Sequence, residues 1–137
     1  MTAKKIKQTG VDRNKYKIYM KKASEFYQSM MRAEESQNWN AVGLNSVHCA
    51  ISACDAVVVF HLGLRSVSAQ HRDAIELLGS IPAPEVGKKS GLLNRILAKK
   101  NIVEYEDRDF LEKEARELIK TTIRFYEWVN EILPERR

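Results

Sequence analysis

Glycine and proline are scarce, with 6 and 3 in 137 residues. So few chain breakers argue against a turn-rich all-β fold, a collagen-like repeat and a disordered chain. Long apolar runs are missing too. The longest unbroken one, Ala56 to Phe60, is five residues, against the roughly 20 that a membrane span requires. His48, Ser52, Asp55 and His61 interrupt the mostly apolar stretch Val47 to Leu62, so no membrane partner is expected. Met1 to Gly10 carries lysines and no apolar core, so a secretory signal is not expected and a cytoplasmic location is. Of the two cysteines, Cys49 and Cys54, the side chains would point about 140° apart on one helix. That disfavours a bridge and reads as two reduced core thiols. There is no GxSxG elbow, no HExxH and no Walker loop. The histidines, His48, His61 and His71, are scattered, with no Glu-x-x-His arrangement. Neither a metal nor another cofactor is expected.

What remains is the profile of a globular chain long enough for one domain, 44% hydrophobic and 30% charged. The net charge of +5 is unevenly spread. Residues 1–40 carry nine Lys and Arg against four Asp and Glu, and residues 101–137 carry seven against ten. The basic run is Lys4, Lys5, Lys7, Arg13, Lys15, Lys17, Lys21 and Lys22. Such a face would attract a polyanion such as RNA, although a solvated helix surface has the same composition.

The apolar spacing is helical throughout. Tyr16, Tyr19, Ala23, Phe26, Met30 and Ala33 form an amphipathic stripe, with Asp12 as its expected N-cap. A second helix is expected from Asn38 or Asn40 to Leu62. It is apolar around most of its circumference, as the central helix of a bundle would be. The β-branched run Val57 to Phe60 could pass for a strand, but the segment is too long and has no partner strand. Gly63 is placed to end this helix, and Ser68 to cap a short one from Ala69 to Leu78. A loop through Gly87 to Ser90, a short helix from Ser90 or Gly91 to Leu97, a connector Val103 to Glu106, and a last helix from about Asp107 to Leu133 complete the chain. The reading is an all-α, single-domain, up-and-down bundle of four to five helices. Residues 1–11 are expected to form a basic extension, 12–133 the bundle and 134–137 a tail.

Two places carry chemistry. Asp55 interrupts the apolar Ala53-Cys54-Asp55-Ala56-Val57, and a buried carboxylate needs a partner. Arg65 or Arg72 is the expected cation. The segment Gly63-Leu64-Arg65-Ser66-Val67-Ser68-Ala69-Gln70-His71 then sets Arg65 just past a helix end and His71 in the first turn of the next. An imidazole can take a proton from a ribose 2′-hydroxyl, and a guanidinium can stabilise charge gathering on phosphorus. Both could equally be structural, Arg65 and His71 satisfying Asp55 and capping the third helix.

Ala50-Ile51-Ser52-Ala53-Cys54-Asp55-Ala56, then Gly63-Leu64-Arg65-Ser66, then His71 and Leu77-Leu78, together with Leu92-Leu93-Asn94-Arg95-Ile96-Leu97, Tyr105 and a closing helix containing Ala115, resemble a HEPN domain over roughly residues 12 to 133. The resemblance implies a helical bundle, usually a homodimer. Many such proteins are RNases of toxin–antitoxin, defence or RNA-processing systems. Their shared signature is an Arg and, four to six residues on, a His, the pairs of two subunits forming one cleft. Arg65 and His71 are separated by five residues, within that window. What is implied is an RNA- or nucleotide-directed domain, as an enzyme a metal-independent endoribonuclease, with Arg65, His71 and Asp55 as its catalytic set. The alternative is a non-catalytic module that binds a nucleotidyltransferase or another partner protein. Two departures favour that alternative: Ser66 follows the Arg where Asn, Asp or His is usual, and Ser68 restarts the helix between Arg65 and His71.

Overall fold

The structure, a computed structural model, describes residues 6–134. Lys4 and Lys5 of the basic run, and residues 135–137 of the tail, lie outside the described residues. Six α-helices are present among the described residues: α1 (Tyr16–Glu35), α2 (Trp39–Leu62), α3 (His71–Gly79), α4 (Val86–Leu97), α5 (Lys100–Glu104) and α6 (Glu112–Ile132). The protein is an all-α bundle, and α2 is its axis. Fourteen of the residues of α2 are buried, because α1 covers one side of it, α6 another and the short helices the rest. α2 is long and apolar enough to span a bilayer, but 78% of its most apolar stretch is buried inside the bundle. The branched run Val57 to Phe60 is helical, as its length required.

The stripe on α1 buries Tyr16, Met20, Ala23, Met30 and Ala33 against α2. From α6 come Ala115, Leu118, Phe125 and Val129. α2 and α5 pack closely at Gly43. A Cβ there would stand 2.8 Å from Val103 Cγ2 and 3.0 Å from the Phe110 ring. This lets α5 sit directly on α2.

Boundaries differ from expectation where side chains or a turn override periodicity. Asp12 caps a 3₁₀ turn, Arg13–Lys15, by accepting a hydrogen bond from Asn14 N at 2.9 Å, and α1 begins after it. α4 starts at Val86 rather than Ser90. Glu85 takes a left-handed conformation (φ 61°), which launches the helix early, and Trp128 Nε1 holds the preceding bend by donating to Pro84 O at 3.0 Å. The last helix starts at Glu112 rather than Asp107, since Asn40 pins the approach. Its Oδ1 accepts from Phe110 N at 2.7 Å and its Nδ2 donates to Asp109 Oδ1 at 3.0 Å. Glu112 and Glu114 then occupy the first turn, where acidic groups favour the dipole. Arg108 holds Glu114 through two 2.9 Å hydrogen bonds and lowers its pKa to about 2. Lys100–Glu104, which runs from the stretch after Leu97 into the expected connector Val103–Glu106, forms the short helix α5.

The fold is not helical throughout. Residues 8–11, expected in a separate extension, are tied to the bundle. Gln8–Gly10 (β1) pairs antiparallel with Leu64–Ser66 (β2), in the register Gln8 with Ser66, Thr9 with Arg65 and Gly10 with Leu64. Val11 N donates to Gly63 O at 2.9 Å and Val67 N to Lys7 O at 3.0 Å, extending the ladder at both ends. Gly63 ends α2 at φ 68°, the left-handed conformation anticipated for it.

Candidate functional site

α2 carries Asp55 to the edge of the core, where it is 9% exposed. Arg65, on β2, donates from Nη2 to Asp55 Oδ2 at 3.3 Å. Of the two cations expected to answer Asp55, the structure selects Arg65. Burial raises the Asp55 pKa to about 6. The charge and hydrogen bond of Arg65, and the charge of Lys22, pull the other way without overcoming it. The carboxylate is therefore mostly ionised at neutral pH and close to taking up a proton.

The guanidinium is only partly spent on this pair. The Arg65 side chain is 33% exposed, and its Cζ lies 5.4 Å from the centre of the Tyr19 ring. Lys22 Nζ lies 5.6 Å from the same ring, so the basic face of α1 runs up to Arg65. Arg65 Nε is buried with no hydrogen-bond partner among the described residues. The backbone of Arg65 is held by the ladder with β1 on one side and by the end of α2 on the other.

Six residues on, the turn after β2 is built from serines. Ser66 Oγ accepts from Ser68 N at 3.2 Å; Ser68 Oγ accepts from Gln70 N at 3.0 Å and donates to the buried Asp73 at 2.7 Å. This brace delays the helix, so α3 starts at His71 rather than Ala69. His71 is exposed, and no described residue hydrogen-bonds its ring. Partial burial lowers its pKa first and the charge of Lys100 second, Glu104 acting in opposition. It is a neutral imidazole at pH 7, able to accept a proton. The expectation that His71 satisfies Asp55 is not met.

Asp55, Arg65 and His71 all line one open cavity of about 490 Å³, between the end of α2, the serine turn, α3 and α5. Its floor is apolar, from Ile51, Ala74, Leu93 and Leu97. Sequence reasoning missed two further cationic and aromatic contributors to its rim. Lys100 and Tyr105 come from α5 and the residue after it. Glu104 steadies this rim by accepting from Lys100 Nζ at 2.8 Å and facing His48 Nε2 at 3.1 Å. Tyr105 stood out in the sequence only as part of a family pattern, while Lys100 gave no signal, because a five-residue helix has too few turns to show a face. Cys54 also lines the cavity. Burial and neighbouring Asp55 hold its thiol protonated, so it is not a nucleophile here. Cys49 is likewise raised, to about 12. Among the described residues, no three His, Cys, Asp or Glu side chains are grouped to hold a metal ion.

The arrangement combines a proton acceptor, a held guanidinium and a second cation around an open space. These are the groups that holding a phosphate and moving a proton beside it call for. A family model for the HEPN domain matches residues 16–132. Compared with the curated proteins, the chain matches none.

Proposed function

The chain belongs to the HEPN domain family, and from that premise we propose that it is a dimeric, RNA-directed protein of the cytoplasm that cleaves RNA without a metal ion, in a toxin–antitoxin or defence setting. The observation that carries this reading is that Arg65 and His71 open on the same cavity while His71 is left free of internal partners. His71 takes the proton of a ribose 2′-hydroxyl. The 2′-oxygen then bonds to phosphorus as the bond from phosphorus to the 5′-oxygen breaks. The departing 5′-oxygen receives a proton from water or from the imidazolium of a second copy. The products are a 2′,3′-cyclic phosphate and a 5′-hydroxyl. Arg65 stabilises the added phosphoryl charge, and Asp55 acts as a positioning residue through it. The basic face of α1 supplies long-range attraction for the strand. A homodimer would bring two such cavities together.

The test is incubation of the full chain with RNA in EDTA. Cleavage leaving a cyclic phosphate, abolished in His71→Ala and Arg65→Ala, supports the reading. Cleavage indifferent to both substitutions overturns it. Sedimentation of the purified chain checks the dimer.

A second reading has its own support. Arg65 gives Nη2 to Asp55, and Arg65 and His71 sit on different elements. A non-catalytic module that uses the same cavity to engage a nucleotide or a nucleotidyltransferase fits those facts. A stable complex with such an enzyme, and no turnover of any RNA, would favour it.

A further inference from the structure

The rim of the cavity opposite Arg65 has a feature that phosphate chemistry does not use. Tyr105 is 71% exposed, the most exposed of the large hydrophobic side chains among the described residues. It is not loosely held. Tyr105 N donates to Asn101 O at 2.9 Å, and Lys100 Nζ lies 5.3 Å from the ring centre while ion-paired to Glu104. The ring thus stands on a braced pedestal with a face open to solvent. It borders the same cavity as Arg65 and His71, above an apolar floor. Pockets that take small ligands run from about 300 to 1,000 Å³, and the 490 Å³ here falls in the range for one nucleotide.

Resting on the RNA-directed reading, we propose that Tyr105 and Lys100 form a base subsite, in which a single unpaired nucleobase stacks on the Tyr105 ring while its phosphate lies toward Arg65. The ligand is therefore single-stranded RNA or a free nucleotide, since a base stacked within a duplex has no free face to offer the ring. Stacking accepts any base face, so the preference is for unpaired over paired strands rather than for one sequence. Lys100, its charge matched by Glu104 at 2.8 Å, steadies the ring, and the phosphate charge is left to Arg65.

Titration of the full chain with adenosine 5′-monophosphate and with ribose 5-phosphate, followed by NMR shifts in EDTA, separates base from phosphate. The nucleotide is expected to bind about ten- to a hundredfold tighter than the sugar phosphate, the range that base stacking on an aromatic ring supplies. Tyr105→Ala should erase that gap and leave ribose 5-phosphate binding unchanged, while Tyr105→Phe keeps it. If the sugar phosphate binds and is lost in Arg65→Gln, yet the gap is absent or survives Tyr105→Ala, the base subsite is wrong and the phosphate site stands. If neither probe binds and RNA is not cleaved, the RNA-directed reading falls, and the subsite with it.

Discussion

The two walls of the cavity are built on opposite plans. The α2–β2 wall, bearing Asp55 and Arg65, is fastened: a buried carboxylate, a guanidinium bonded to it, and a strand laddered to a second strand. The α3–α5 wall exposes His71 and Tyr105, with Lys100 half-buried beside them, and Lys100 is held by Glu104 and the Tyr105 ring. Preorganisation is concentrated on the first wall. On the proposed reading, the group that would meet a phosphate is held before anything binds, and the groups that would move a proton or cover a base keep the freedom to adjust. Changes to the first wall should therefore register in stability, and changes to the second in activity with little loss of stability.

The sharpest break of that comparison is His71→Ala. Removing a general base costs about 10²–10⁴-fold in rate. RNA cleavage should fall by that much while the melting temperature holds, and a large drop in melting temperature would mean that His71 is structural after all. Next is the pH dependence of stability in Asp55→Asn against the parent. Because the folded pKa of Asp55 is raised to about 6, its contribution is fully present below the unfolded value near about 3.9. It is lost as pH rises through about 6. Between pH 4 and 7 the parent should lose on the order of 2–3 kcal/mol relative to Asp55→Asn, read from urea unfolding at each pH. Parallel curves would show that the carboxylate is better solvated than its burial implies.

A smaller effect joins the two walls. Gly43→Ala puts a Cβ 2.8 Å from Val103 on α5, and overpacking of this kind costs about 1–3 kcal/mol. The same substitution pushes the Lys100–Tyr105 pedestal outward, so nucleotide affinity should drop along with chemical stability. Smallest is Glu104→Gln. It leaves His48 and Lys100 without their carboxylate, for less than about 1 kcal/mol at a partly exposed site. Since Glu104 raises the His71 pKa, its loss should move the imidazole titration to lower pH, seen by NMR of the ring protons. A shift upward would contradict the placement of His71 beside α5.

Much of the fastened wall was legible in the sequence. Asp55 announced itself by interrupting an apolar helix, and charge balance demanded a cation near the following turn. Gly63 marked the end of α2 because a left-handed residue there is nearly always glycine. On the fastened wall itself only the ladder was hidden, because the three-residue strands Gln8–Gly10 and Leu64–Ser66 show no alternation from which their pairing could be read. The open wall was far less legible. Lys100 and Tyr105 belong to a helix of five residues and its cap, shorter than the window in which periodicity can be judged. Gly87 and Ser90 looked like loop residues because their local preference was read without the positive-φ Glu85 that starts the helix. Where Arg65 and His71 meet depends on the serine turn, whose bonds to Asp73 are tertiary detail.

The register that sets Thr9 across from Arg65 has a practical reach. Any passenger joined ahead of residue 6 hangs on the strand that holds the guanidinium's backbone. The backbone that carries the guanidinium is thus anchored by a segment from the far end of the sequence, and loss of that pairing would release Arg65 from one of its two supports.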